Sequence, residues 1–208
     1  MSRDAYASFA ELAAREREER DYRRRLVRRA SPIAILAPHG GEIEPGTSEV
    51  ALALAGAEFS LYLFEGLRPG RSAALHITST RFDDPECLDL LAATRTAIAI
   101  HGAAGSEDTI RIGGRDEELG GRIAAALAAA GFALRADGDR RFAGVAARNL
   151  CNRCASGRGV QLELSAGLRR SFFAGAWPAE RRVATPALAA FVGAVRSELL
   201  ARGAAVET

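Results

Sequence analysis

The stretch IAILAPHGGEIEPGTSEVALALAG, residues 33–56, decides how the chain is read. Ile33 to Ala37 is an apolar run of strand length, and Pro38 closes it. A histidine, two glycines and two glutamates follow within six residues, and an apolar helical pattern resumes near Ser48. Strand, glycine-rich turn and helix in this order form the repeating unit of an α/β sheet. In such sheets binding groups gather in loops beyond the carboxyl ends of the strands.

The same alternation continues along the chain. Strand-length apolar runs stand at 33–37, 59–64, 73–78 and 97–100, with weaker candidates at 109–112 and 132–135. GVQLEL (159–164) alternates apolar and polar residues as a half-buried strand does. Helical patterns cover 48–57 after Thr47 and Ser48, 85–94 after Asp84 with a first-turn proline, 116–130 ending at Gly131, and 186–201. The expectation is one α/β domain over 31–208, a mixed parallel/antiparallel sheet flanked by helices. Residues 1–30 read as an N-terminal charged helix (7–28) docking on that domain through Phe9, Leu12, Ala13 and Leu26.

Bulk properties narrow the function. The 208 residues carry 28 basic and 26 acidic side chains, a net charge of +2, so no overall field draws the chain to nucleic acid. No run of 18 or more apolar residues spans a membrane, and the N-terminus lacks the apolar core of a secretory signal. Cys87, Cys151 and Cys154 follow no disulfide-framework spacing, so a reducing, cytoplasmic setting is expected.

The three histidines, His39, His76 and His101, all fall at or near the end of an apolar run. His39 and His101 share a strand-His-Gly context, which points to convergence at one sheet edge. Two imidazoles and one carboxylate make a catalytic zinc set with a fourth position open to water. Glu42 is one carboxylate candidate, three residues after His39. Glu44 is equally reachable around a glycine turn, and spacing leaves both open. Such a site also needs a general base, for which Glu163, a charge inside a strand, is the candidate; Gln161 and Ser165 would share its face. The IGGRD stretch at 112–116 lacks the pattern of a phosphate loop. NLCNRC (149–154) has a CxxC without a second half to complete a structural metal site.

Taken together, APHGGEIEPGTSEVALALAG, FSLYLFEGL, LHITSTRFDDP, AIHGAAG, IGGRD, NLCNRC and GVQLELSAGLR resemble the phage-type poly-γ-glutamate hydrolases, from about Tyr6 to Arg169. The resemblance implies a compact relative of the zinc carboxypeptidase fold that cuts γ-glutamyl amide bonds with one zinc ion. It implies His39, Glu44 and His101 as zinc ligands, in place of Glu42, and Glu163 as the base that activates the attacking water. It also implies Asn149, Asn152 and Arg153 as groups that grip substrate or polarise its carbonyl. An acidic γ-glutamyl polymer or peptide would meet arginines, for which Arg81, Arg115, Arg153 and Arg169 are candidates. A monomer is expected, with neither nucleic acid nor membrane as partner. Two rivals remain: a zinc acyl-amino-acid deacylase or carboxypeptidase on small acidic substrates, and a non-catalytic phage-derived, replication-associated binding protein.

Overall fold

The computed structural model describes residues 4–136, 138–139, 142–175 and 183–204. Seven strands form one sheet: β1 (Tyr22–Val27), β2 (Ile33–Gly41), β3 (Ser60–Gly66), β4 (Thr96–Ala103), β5 (Thr109–Gly114), β6 (Ala133–Leu134) and β7 (Val160–Ser165). Their order is β1-β3-β2-β4-β7-β5-β6. The centre, β3-β2-β4-β7, is parallel, while β1 runs antiparallel to β3 and β5 antiparallel to β7. Helices α1 (Phe9–Arg15), α2 (Thr47–Ala55), α3 (Pro85–Ala92), α4 (Glu117–Ala129), α5 (Ala166–Ser171) and α6 (Pro186–Ala204) flank it, and β8 (Phe173–Ala174) pairs with β9 (Val183–Ala184). This is the expected single α/β domain with a mixed sheet.

Both faces of the central strands are covered, which explains why β2, β3 and β4 read as continuous apolar runs; β7, whose alternation suggests a half-buried strand, is instead buried at every residue. On one face Ile33, Ile35, Leu61, Leu63, Ile98, Ile100, Leu162 and Leu164 pack under α2, α4 and α6. On the other, Ala34, Leu36, Tyr62, Phe64, Ala97 and Ala99 pack against Phe9, Leu12, Ile77, Phe82 and Leu91. Small alanines beneath large aromatics keep this second layer close.

Two helix and strand assignments differ from the structure. Residues 7–28 are not one helix: α1 ends at Arg15, and Tyr22–Val27 is an edge strand. Its arginines suit an edge, where charge prevents further pairing. Arg23 pairs with Glu65 at 2.9 Å, and Arg24 reaches Glu18 and Asp84 while lying over the Phe9 ring. Residues 73–78 are not a strand. A 3-10 turn covers Ser72–Leu75, and Leu75 and Ile77 bury their side chains without any backbone ladder.

One irregularity places the site. The register of β2 against β3 slips between Ala37 and Gly40: three steps along β2 answer two along β3, from Leu63 to Glu65. Pro38, which has no N–H to give a ladder, lies within this bulge. An extra residue reverses which side of the sheet the following side chains face. His39 therefore joins the α3 face instead of continuing the Ile33-Ile35-Ala37 row beneath α2.

Candidate functional site

Ala97, Ala99 and His101 alternate onto the α3 face of β4, and the register pairs His101 with Glu163 on β7. Glu163 thus shares the face that the bulge gives to His39. His39, His101 and Glu163 are 2%, 3% and 8% exposed, too buried for chance surface polarity.

The turn after β2 brings in the fourth group. Gly41 has φ +62°, and a Cβ there would come within 2.4 Å of the Gly66 carbonyl oxygen, so only glycine fits. The chain then doubles back, and the Glu44 N–H donates to the His39 carbonyl at 2.8 Å. Thr47 Oγ1 donates to the Glu44 carbonyl, and Ser48 Oγ accepts the Gly41 N–H. The two hydroxyls expected to cap α2 therefore hold this turn instead, and Gly46 is the N-cap.

Among the described residues, His39, Glu44 and His101 form a group whose ligand atoms lie within 4.8 Å of one another. His39 Nδ1 is 3.1 Å from His101 Nδ1 and 3.3 Å from Glu44 Oε1, and His101 Nδ1 is 3.8 Å from Glu44 Oε2. Ligand atoms each about 2.1 Å from a tetrahedral ion stand about 3.4 Å apart, so the spread suits a zinc ion. The outer ring nitrogens are already engaged: His39 Nε2 with the Ile77 carbonyl at 2.8 Å and His101 Nε2 with Ser79 Oγ at 3.3 Å. Both Nδ1 atoms are thereby turned inward, the arrangement that metal-binding histidines use. The carboxylate geometry resolves the choice left open by spacing: Glu44, not Glu42, meets the histidines.

Electrostatics agree. Burial opposes a charge on His39, but the Glu44 carboxylate beside it holds its pKa above the usual value. Burial and the charge of His39 press His101 down to about 3. Glu44 falls to about 2, because His39, His101 and the Gly102 N–H (2.7 Å) outweigh its burial. The Glu44 carboxylate thus favours a positive charge at the point where the two Nδ1 atoms meet. Glu163 behaves oppositely: burial, then the nearby Glu44 charge, lift it to about 8. Gln161 Nε2 donates to Glu163 Oε1 at 2.7 Å, and Asn149 Nδ2 donates to Gln161 Oε1 at 3.0 Å. Among the described residues, the second oxygen of Glu163 has no hydrogen-bond partner.

The other sequence candidates are dispersed. Asn149 donates to Gln161 Oε1 and accepts the Cys151 N–H. Asn152 is filled, its oxygen accepting the Arg115 and Gly159 N–H groups and its nitrogen donating to the Gly144 and Ala146 carbonyls. Arg153 is exposed and its charge acts on Cys87 in α3. Arg115 follows Gly114, which pairs with Val160 at the opposite end of β7 from Glu163. Arg81 is paired with Asp4. Arg169 is buried and donates to the Leu164, Pro45 and Ala103 carbonyls. A cavity of about 510 Å³ lined by Glu42, Pro45, Arg169, Arg170 and Phe173 holds none of His39, His101 and Glu163. The arginine that does approach Glu163 is Arg111, its register partner on β5, half-buried with its guanidinium 4.7 Å from the centre of the Phe142 ring. Arg111 and Ser79 were not singled out from sequence; the alternation Thr109-Ile110-Arg111-Ile112 was the available signal for Arg111.

The sequence model of the family described as poly-gamma-glutamate hydrolase matches residues 6–194. The chain belongs to that family. Poly-gamma-glutamate hydrolase membership indicates a hydrolase. UPF0714 protein YndL of Bacillus subtilis (strain 168) is 40% identical over 171 residues, 82% of this chain and 67% of YndL. The SPbeta prophage-derived UPF0714 protein YoqZ of the same strain is 41% identical over 174 residues, 83% of this chain and 63% of YoqZ. The chain thus spans about two thirds of the length of these curated relatives. A bacteriophage poly-gamma-glutamate hydrolase structure superposes with TM-score 0.92 at 32% identity, covering 96% of this chain and 98% of that one. A zinc-free apo structure of YndL superposes with TM-score 0.89 at 36% identity, covering 95% and 98%. N-formylglutamate amidohydrolase from Ralstonia eutropha JMP134, at 12% identity and TM-score 0.54 over 90% of this chain and 98% of that one, shares the fold.

Proposed function

We propose that the protein is a zinc-dependent hydrolase of γ-glutamyl amide bonds, with His39, Glu44 and His101 holding one zinc ion and Glu163 acting as general base. The observation that carries this reading is the placement of Glu163 beside His101 on the adjacent strand, on the face where the two Nδ1 atoms and Glu44 meet. Family membership and the resemblance to the bacteriophage hydrolase support the choice of bond, and the zinc-free form known for YndL supports the choice of metal.

A zinc ion held there would supply Lewis-acid polarisation of the amide carbonyl and acidify water beside it. The chain's own residues do the remainder. Glu163, anchored through one oxygen by Gln161, offers the other to water and takes its proton as it attacks the carbonyl. The same carboxyl then returns the proton to the leaving amine. Burial and then the Glu44 charge lift the Glu163 carboxyl to about 8 without metal, and a zinc ion beside it would lower that value toward the ionised form a base needs. Arg111, across the ladder from Glu163, meets a carboxylate of the acidic substrate. Arg169 and Asn152, saturated by backbone partners, shape the loops instead.

The test is incubation of zinc-loaded protein with poly-γ-glutamate and with short γ-glutamyl peptides, reading product lengths. Cleavage of polymer and peptide supports the reading. Cleavage of small acyl-amino acids alone would move the assignment to a deacylase, and zinc-loaded protein inert on all of them would point to a binding module.

A further inference from the structure

The outer nitrogens of both candidate metal-ligand histidines are held by a single irregular segment. His39 Nε2 donates to the Ile77 carbonyl, and His101 Nε2 meets Ser79 Oγ. Residues 76–84 contain no helix or strand, so no ladder fixes this segment from within. The Ser79 carbonyl accepts the Leu150 N–H at 3.1 Å, the Thr78 carbonyl accepts the Arg81 and Phe82 N–H groups, and Tyr62 and Arg24 hold Asp84 at its far end; further ties come from the N-terminal residues. Asp4 Oδ1 takes the Nδ1–H of His76 at 2.9 Å, Asp4 Oδ2 takes the Thr78 N–H at 2.8 Å, and the same carboxylate pairs with Arg81. Further along, the Phe9 N–H donates to Asp83 Oδ1 at 2.6 Å. The Asp4 side chain is 3% exposed, whereas its partners His76 and Arg81 are 37% and 45% exposed.

One of these contacts reaches the site through a single rigid unit. The Thr78 N–H and the Ile77 C=O belong to the same planar peptide group and point in opposite directions across it. Asp4 holds the N–H end, and His39 donates to the C=O end. A carboxylate on the N–H side polarises the peptide and strengthens its oxygen as an acceptor. That oxygen keeps the His39 proton on Nε2 and the Nδ1 lone pair facing Glu44 and His101. His76, also bound to Asp4, lies with its ring 4.1 Å from that of His39, at an interplanar angle of 30°, and limits how His39 can tilt.

We propose that Asp4 is a positioning residue of the metal centre, acting through the Ile77–Thr78 peptide and the His76 ring to fix the tautomer and plane of His39. The proposal rests on the reading of His39, Glu44 and His101 as metal ligands. Asp4 stands just ahead of the residues matched by the family model, so family membership does not assign it this role.

The experiment measures zinc release to a chromogenic chelator from the zinc-loaded full chain, with thermal melts of the metal-free forms alongside. The variants are Asp4→Ala and Asp4→Asn, with Asp83→Asn as a control that weakens the Phe9 anchor but not the relay. Loss of a group that orients a metal ligand costs about 10–100-fold in metal affinity. Asp4→Ala is expected at the lower end, releasing zinc about tenfold faster. Asp4→Asn, which keeps an oxygen for the Thr78 N–H, should fall between it and wild type, and Asp83→Asn should stay near wild type. Zinc release from both Asp4 variants at the wild-type rate would overturn the proposal, even with a lower metal-free melting temperature, because Asp4 would then be only a structural tie. Equal acceleration by Asp83→Asn would overturn it too, since the strap as a whole and not the relay would be responsible. Should Asp4→Ala fail to fold, Asp4→Asn alone decides between these outcomes. Wild-type protein that takes up no zinc would defeat the metal reading itself, a result separable from the others because it precedes any variant.

Discussion

His39 and His101, 62 residues apart in sequence, face each other through their Nδ1 atoms at 3.1 Å, each with its outer nitrogen already engaged. Two inward lone pairs at that distance repel unless a proton or a metal ion lies between them. A substitution at either should therefore remove metal and activity while leaving the fold. For His101→Ala we expect zinc content to fall to background and amide hydrolysis to drop at least about a hundredfold. Metal analysis beside a turnover assay checks this, and a His101→Ala protein that keeps full zinc would remove it from the ligand set.

Glu163 should separate binding from chemistry. Glu163→Gln keeps the shape and the contact with Gln161 but removes the base, so zinc should stay bound while kcat falls about 10²–10⁴-fold. Loss of zinc together with activity would recast Glu163 as a ligand.

The same residue gives a pH dependence in metal-free protein. Its carboxyl is lifted from 4.5 to about 8 by burial, so the native state keeps a proton that the unfolded chain releases near 4.5. Between those values the folded form binds more protons than the unfolded form, and stability falls as the pH rises. Below the lower value both states are protonated and the effect vanishes. Above the upper value both are ionised and the loss is complete. Glu163→Gln should flatten this fall, read as urea midpoints at about pH 5 and about pH 8. Identical slopes in the two proteins would contradict the assignment.

Arg111 is predicted to serve substrate affinity. Arg111→Met keeps an unbranched side chain but removes the charge, together with the guanidinium that lies over Phe142, so KM for an acidic polymer should rise about tenfold or more, the scale of one charge-assisted hydrogen bond. Steady-state kinetics decide it, and an unchanged KM would exclude Arg111 from substrate contact.

Arg169, by contrast, should act on stability. Arg169→Ala leaves the carbonyls of Leu164, Pro45 and Ala103 without their donor in a buried setting, a cost of about 2–4 kcal/mol. Chemical denaturation measures it.

Much of the fold was legible because β2, β3 and β4 are buried on both faces and so read as apolar runs punctuated by glycine turns; the alternation of β7 marked it as a strand but concealed its burial on both faces. Edge strand β1 was read as helix because its arginines are neutralised by Glu65, Glu18 and Asp84, partners that no local pattern reveals. The strand-His-Gly contexts pointed to His39 and His101. The bulge at Pro38, which sets the face of His39, depends on pairing with β3 and is invisible in single-residue alternation. Choosing between Glu42 and Glu44 by residue spacing failed because the turn is fixed by its own hydrogen bonds, not by helical geometry. The arginines were the hardest to place from sequence. Arg81, Arg115 and Arg153 carry the right chemistry but lie against other partners or at other edges, whereas Arg111 gains its place from the antiparallel pairing of β5 with β7, set up by the five residues 104–108 between β4 and β5.

The central position of β2, β4 and β7 has a kinetic consequence. His39, His101 and Glu163 are anchored in three adjacent strands with further strands hydrogen-bonded on either side, so fraying from the sheet edges does not reach them. Glu44 alone stands off the sheet, on the turn closed by Thr47 and Ser48. An ion held by these residues would therefore exchange with solvent by the opening of that turn, at a rate set by a few local hydrogen bonds and independent of the global stability of the domain.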